Sequence, residues 1–207
     1  MISAFLIPGF SHYRSFGHSD FDILRETMQQ HDVSLDGVVD HWGQYGIREY
    51  GQIANAAIEQ LQSVDVLIGH SLGAIAALDS VETAGVDNLI ICSPSALFAE
   101  DADILYKPET VSFIGKKRVD ELAQIKTEQI CSKVSRLSIH TTITYGSNEK
   151  NIKEFQYPKD SFLIIDSIFK QHNAHFLVNH QLSSYEQFIK KDIGDIISQF
   201  NTRKIFF

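Results

Sequence analysis

Residues 64–84, VDVLIGHSLGAIAALDSVETA, place the tightest limit on what this chain can become. A short apolar run (Val64, Val66, Leu67, Ile68) leads into Gly69-His70-Ser71-Leu72-Gly73, and a helical pattern of Ala74, Ala76, Ala77 and Leu78 follows. The run has the length and β-branching of a buried strand, and the alanines suit a helix packed closely on a sheet. Strand and helix must turn into each other within five residues. Gly69 and Gly73 have no side chains, so the two elements can approach and the bend can be sharp. A serine at its centre is held exposed beside a helix N-terminus, where negative charge is favoured. The plain alternative is an ordinary strand-turn-helix corner with an incidental serine.

The same alternation runs along the chain. Residues 4–7 read as a strand stopped by Pro8-Gly9, and residues 22–30 as a helix with Ser19 or Asp20 to cap it. A weaker strand covers 34–40. A helix covers 47–62 with Ile53, Ala54, Ala57, Ile58 and Leu61 on one face. After the central unit come strands at 88–92, 137–145 and 162–166, and a helix at about 184–200. Residues 95–136 differ in character, with Lys116-Lys117-Arg118 and a helix expected at 119–134. They read as an insertion over the sheet, or else as a crossover helix on its face. The basic cluster reads as a solvated helix start.

Strands alternating with helices imply a mostly parallel sheet with right-handed crossovers, and ligands in such sheets bind beyond the carboxyl ends of the strands. Loops starting at residues 8, 41, 70, 93, 146 and 167 are expected on one rim. A length of 207 residues suits one domain. The net charge of −8 argues against nucleic acid or an anionic membrane as a partner. Two cysteines, Cys92 and Cys131, form no disulfide framework and no zinc motif. The first ten residues lack a basic flank and a long apolar stretch, so no signal peptide or membrane span is expected and the cytoplasm is the default location.

A serine hydroxyl becomes a nucleophile only when a base takes its proton, and the base needs a carboxylate to orient it. Of nine histidines, His172, His175 and His180 follow the last expected strand, in QHNAHFLVNH, on the reactive rim. His172 and His175 have a metal-ligand spacing, but no carboxylate or cysteine supports it, and neither a metal nor a cofactor is expected.

With these residues in place, the chain resembles a compact α/β-hydrolase. Gly69-His70-Ser71-Leu72-Gly73 is similar to that family's nucleophile elbow, and Asn173-Ala174-His175-Phe176-Leu177 resembles its histidine stretch after the last strand. The resemblance implies a single domain over 1–207 with 95–136 as a lid or insertion. It also implies a six-stranded, mostly parallel sheet of order 2-1-3-4-5-6 with helices on both faces. Ser71 is then the nucleophile and His175 the base, with His172 a weaker candidate. The acid follows the penultimate strand in the family, which points to Glu149 after Gly146, with Asp166 as competitor. The oxyanion hole combines the amides of Leu72 and Phe10, in a Pro8-Gly9-Phe10-Ser11 loop where Pro8 replaces the family's usual histidine. Asp40-His41-Trp42-Gly43-Gln44-Tyr45-Gly46 resembles a structural loop of the family and is assigned no chemistry.

The reaction so implied is hydrolysis of a carboxylic ester or thioester, with a small-molecule substrate as partner and the oligomeric state left open. Transfer of the acyl group to another acceptor, and a binding module with an idle triad, remain open alternatives. Phe10, Tyr13, Phe16, Trp42, Leu97, Phe98 and Phe176 are candidates for an apolar pocket and equally for the core.

Overall fold

The computed structural model describes residues 2–10, 22–30, 32–92, 105–125, 136, 140–146 and 175–179. In chain order the elements are β1 (Ile2–Ile7), α1 (Asp22–Gln30), β2 (Val33–Gly37), α2 (Ile47–Ile58), β3 (Val66–His70), α3 (Leu72–Ala84), β4 (Asn88–Cys92), α4 (Pro108–Ile114), α5 (Lys116–Ala123), β5 (His140–Gly146) and β6 (His175–Asn179). The expected strand at 162–166 and helix at 184–200 lie outside the described residues.

The sheet order is β2-β1-β3-β4-β5-β6, and every neighbouring pair is parallel. The first four strands carry the described core, and β5 and β6 join through backbone pairing. β1 to β2 steps one way and β2 to β3 steps back across β1. Right-handed crossovers therefore put α1 on one face and α2 and α3 on the other. The register is pinned at the amino end of β1. There Ser3 N–H donates to the Asp65 carboxylate at 2.8 Å, and Asp65 N–H donates to the Ser3 carbonyl at 2.8 Å.

α3 is buried nearly all round, from Leu72 through Ala74, Ile75, Ala76, Ala77 and Leu78 to Val81. It is sandwiched between the sheet and α2, which is why its sequence shows little polar face. Its buried Ser80 hydroxyl lies 2.8 Å from the Ala76 carbonyl and 3.1 Å from that of Gly51 in α2. The helix stops at Gly85, in the left-handed conformation at φ 60°.

α2 ends at Ile58 rather than 62, and it buries Ile47, Tyr50, Gly51, Ala54 and Ile58. Of the expected face, Ala54 and Ile58 are buried, while Ile53, Ala57 and Leu61 are only partly buried against the core. Tyr50 and Gly51 complete the buried face, and a Cβ on Gly51 would stand at contact distance, 3.4 Å, from the Ala76 carbonyl and the Ser80 hydroxyl of α3.

Candidate active site

The turn between β3 and α3 has the form its glycines allow. A Cβ on Gly69 would lie 2.6 Å from Ala74 Cα and 2.6 Å from Ala77 Cβ. On Gly73 it would overlap the carbonyls of Ile7 and Pro8. Ser71 between them takes φ 53° and ψ −120°, a combination L-residues rarely adopt, which costs on the order of 1–3 kcal/mol. Asp32, at φ 60°, is the other described non-glycine residue with positive φ. Aspartate tolerates that region, whereas serine gains no local benefit from it. Packing of β3, α3 and the end of β1 holds the strain in place. Ser71 begins α3, accepting a backbone hydrogen bond from Ala74 at 3.0 Å. The Leu72 amide, first in the helix, has no acceptor a turn behind it within the helix, and the helix N-terminus is a locus for negative charge.

The loop after β1 lies directly against this turn. A Cβ on Gly9 would come 2.5 Å from His70 Nδ1 and 3.2 Å from Ser71 Cβ. Pro8, Gly9 and Phe10 are fastened from the far side by Trp42. Its indole N–H donates to the Pro8 carbonyl at 3.1 Å, and its ring stacks on Tyr50 at 3.9 Å. Trp42 is wholly buried and belongs to the core cluster. The Tyr50 hydroxyl donates to the Asp40 carbonyl at 2.7 Å, tying down the start of the 40–46 loop. The Phe10 ring meets Trp42 edge-on at 6.1 Å and Phe113 at 5.6 Å.

Arg118 joins this group from α5. It is only 5% exposed, and its guanidinium lies 4.5 Å from the Phe10 ring centre and 5.7 Å from that of Trp42. It donates to the carbonyls of Gly43 and Ile114, each at 2.6 Å, and to Trp42 at 3.4 Å. Burial lowers its pKa from the ordinary arginine value, opposed by the negative charges of Glu121 and Glu49. Beside it, Glu121 accepts a hydrogen bond from Ile47 N–H at the start of α2. Lys117 pairs with Glu49 at 2.6 Å, and this contact first, then the Gly46 N–H, holds the Glu49 carboxyl below its usual range. So α5 is docked onto the loop that carries Trp42 and onto the head of α2.

The segment's local structure differs from expectation. The helix expected from 119 begins at Lys116, after α4 and a break at Gly115 with φ 86°, and ends at Ala123, while 126–134 lie outside the described residues. Arg118 was missed as anything but solvated. The signal for it lay within α5, where Arg118 stands next to Val119 and four residues before Leu122, on the side that is buried.

His70 follows the burial of its neighbours. The residue is half-buried, but Nδ1 is shut from solvent, and burial pushes its pKa down to about 4. At neutral pH it is uncharged.

Ser71, Leu72 and Phe10 thus come to one rim, at the carboxyl ends of β3 and β1. His175 does not follow the last strand. It is the first residue of β6, in register with Thr142, Ile90 and Ile68 across the sheet. Ser71 is three residues beyond Ile68, which sets the His175 backbone about 10 Å lower along the strands and, at three strand spacings, about 14 Å to the side. The apolar run Phe176-Leu177-Val178 is what makes this stretch a strand. At the rim itself, β6 ends on Asn179, paired with Gly146. Glu149, Asp166, His172 and His180 lie outside the described residues. Among the described residues no cluster of three or more His, Cys, Asp or Glu side chains is placed to hold a metal ion, and no helix is long and apolar enough to cross a membrane.

No protein-family model matches the sequence, and no curated protein matches it either. Solved structures do match. Est1E from Butyrivibrio proteoclasticus is 16% identical, with a TM-score of 0.67 over 99% of this chain and 88% of its own. A highly thermostable carboxyl esterase from Bacillus coagulans is 12% identical, with a TM-score of 0.64 over 97% of this chain and 89% of its own. The thioesterase domain of the curacin biosynthetic pathway is 12% identical, with a TM-score of 0.58 over 96% and 90%. With a parallel sheet, helices between its strands and a strained serine at the strand-to-helix turn, the chain has an α/β-hydrolase-like fold.

Proposed function

We propose that the chain is a serine hydrolase that cleaves a carboxylic ester or thioester through an acyl-enzyme on Ser71. The backbone of Ser71, at φ 53° and ψ −120° at the head of α3, carries the reading. A costly conformation persists where the surroundings impose it, and its effect here is to present a hydroxyl at the head of a helix. Structural likeness to esterases and a thioesterase supports the same chemistry.

In this reading Ser71 Oγ attacks the carbonyl carbon while an imidazole removes its proton. The oxygen that gains charge is met by the amides of Leu72 and Phe10, the second brought close by Gly9 against the turn. The imidazole returns the proton to the leaving alcohol or thiol, then activates water to release the acid. The family resemblance names His175 as the base and Glu149 as the group that orients it. His172 is the weaker candidate for the base, and Asp166 competes with Glu149 for the acid. The full six-stranded hydrolase sheet and a lid built from 95–136 over a single domain belong to the same proposal.

A fluorophosphonate probe and short p-nitrophenyl esters and thioesters test it. Labelling and hydrolysis in the native chain, both abolished in Ser71→Ala, support the reading. A folded chain that neither labels nor turns over would make the fold a binding module. Products formed with an added alcohol or thiol in place of water would make it an acyltransferase.

A further inference from the structure

Resting on that reading, we infer that Arg118 is a positioning residue for the oxyanion loop, holding the Phe10 amide through its contacts with the Phe10 ring and the Trp42-Gly43 carbonyls. A guanidinium is costly to bury, and this one is only 5% exposed, with backbone carbonyls as its hydrogen-bond acceptors among the described residues. What it touches are three carbonyls and two aromatic faces. Carbonyl contacts of this kind fix position, because the planar fork donates along several set directions at once.

The positions it fixes converge on the loop after β1. Through Gly43 and Trp42 it braces the residue whose indole holds the Pro8 carbonyl. Through its face-on contact with Phe10, at 4.5 Å, it braces the side chain of the residue two places further on. Pro8 and Phe10 are therefore restrained from opposite ends, and Gly9 between them is kept against Ser71. Because Arg118 sits on α5, the same contacts tie the segment after β4 to the geometry of the reacting centre. Glu121 and Lys117 dock that helix on α2 independently, so loss of the guanidinium leaves α5 attached.

A donor displaced from the charge it must meet costs rate in the chemical step, while substrate binding is less affected. Arg118→Met keeps the length and the apolar stem and removes the fork. Arg118→Lys keeps the charge over Phe10 and one hydrogen bond. Rates are expressed per active site titrated with the fluorophosphonate, so that unfolded protein is not counted. Arg118→Met should lose about tenfold to a hundredfold in kcat with KM within about twofold, and its labelling rate should fall in parallel. Arg118→Lys should recover part of the loss. If either folded variant shows an unchanged kcat per titrated site, the inference is overturned. If kcat stays and KM alone rises, Arg118 shapes the substrate pocket and the inference is likewise overturned. Should Arg118→Met fail to fold, Arg118→Lys alone decides, since it must fall between native and a tenfold loss. A native chain that does not label at Ser71 is a different result: it removes the hydrolase reading itself.

Discussion

The Trp42 indole N–H and the Pro8 carbonyl are joined by a buried hydrogen bond of 3.1 Å. The same carbonyl is approached from the other side by Gly73, where even a methyl group would overlap it. One peptide group at the end of β1 is thus gripped between the loop after β2 and the first turn of α3. Because Pro8 fixes its own φ and lacks an N–H, the loop beyond it has fewer ways to relax.

Trp42→Phe should keep the stack on Tyr50 and lose the hydrogen bond. Removing a buried donor from a carbonyl left in place costs about 1–3 kcal/mol. Urea titration should show that loss, and kcat should fall about tenfold as the Pro8-Gly9-Phe10 loop loosens.

Gly73 and Gly85 respond to alanine for different reasons. At Gly85 nothing lies within 4 Å of a new Cβ, and only the positive φ of 60° opposes it, so Gly85→Ala should cost about 1 kcal/mol. At Gly73 the obstacle is backbone that cannot step aside. Gly73→Ala should cost more than about 3 kcal/mol or prevent folding, as read from denaturant midpoints of the two variants side by side.

The pH dependence of stability carries a His70 signature. Its folded pKa, about 4, lies below the ordinary 6.5, so the unfolded chain binds more protons between those values. Stability from this group is complete above pH 6.5 and declines as the pH falls toward 4, by at most about 3 kcal/mol. His70→Gln should flatten that part of a plot of unfolding free energy against pH. An equal slope in the variant would assign the dependence elsewhere.

At the head of α2, two carboxylates do unequal work. Lys117 and Glu49 are about half exposed, so Lys117→Ala should change stability by less than about 0.5 kcal/mol. Glu121 accepts from the Ile47 N–H and packs where Gly46 leaves room. Glu121→Ala should cost about 1 kcal/mol, the usual loss of a helix cap, measured by thermal melting.

The β3-turn-α3 unit was legible because two strong local signals coincide there: a buried apolar run and glycines spaced for a close turn. Much of the rest depends on contacts distant in sequence. In α2 periodicity found the buried Ala54 and Ile58, but it weighs Ile53 and Leu61 by hydrophobicity, and these are only partly buried, while Tyr50 and Gly51 complete the buried face. Arg118 looked solvated because its neighbours Lys116 and Lys117 are. His175 was placed after the last strand because 162–166 was read as that strand, although the Phe176-Leu177-Val178 beside it reads by itself as one.

The pairing of Ser3 with Asp65 joins residues 62 apart. During synthesis, at roughly 5–20 residues per second, the first strand waits on the order of 3–12 s for its central neighbour to emerge from the ribosome. The inner edge of β1 can close on β3 only after that interval, so the meeting of Pro8 and Gly73 beyond the strand ends waits on the middle of the chain.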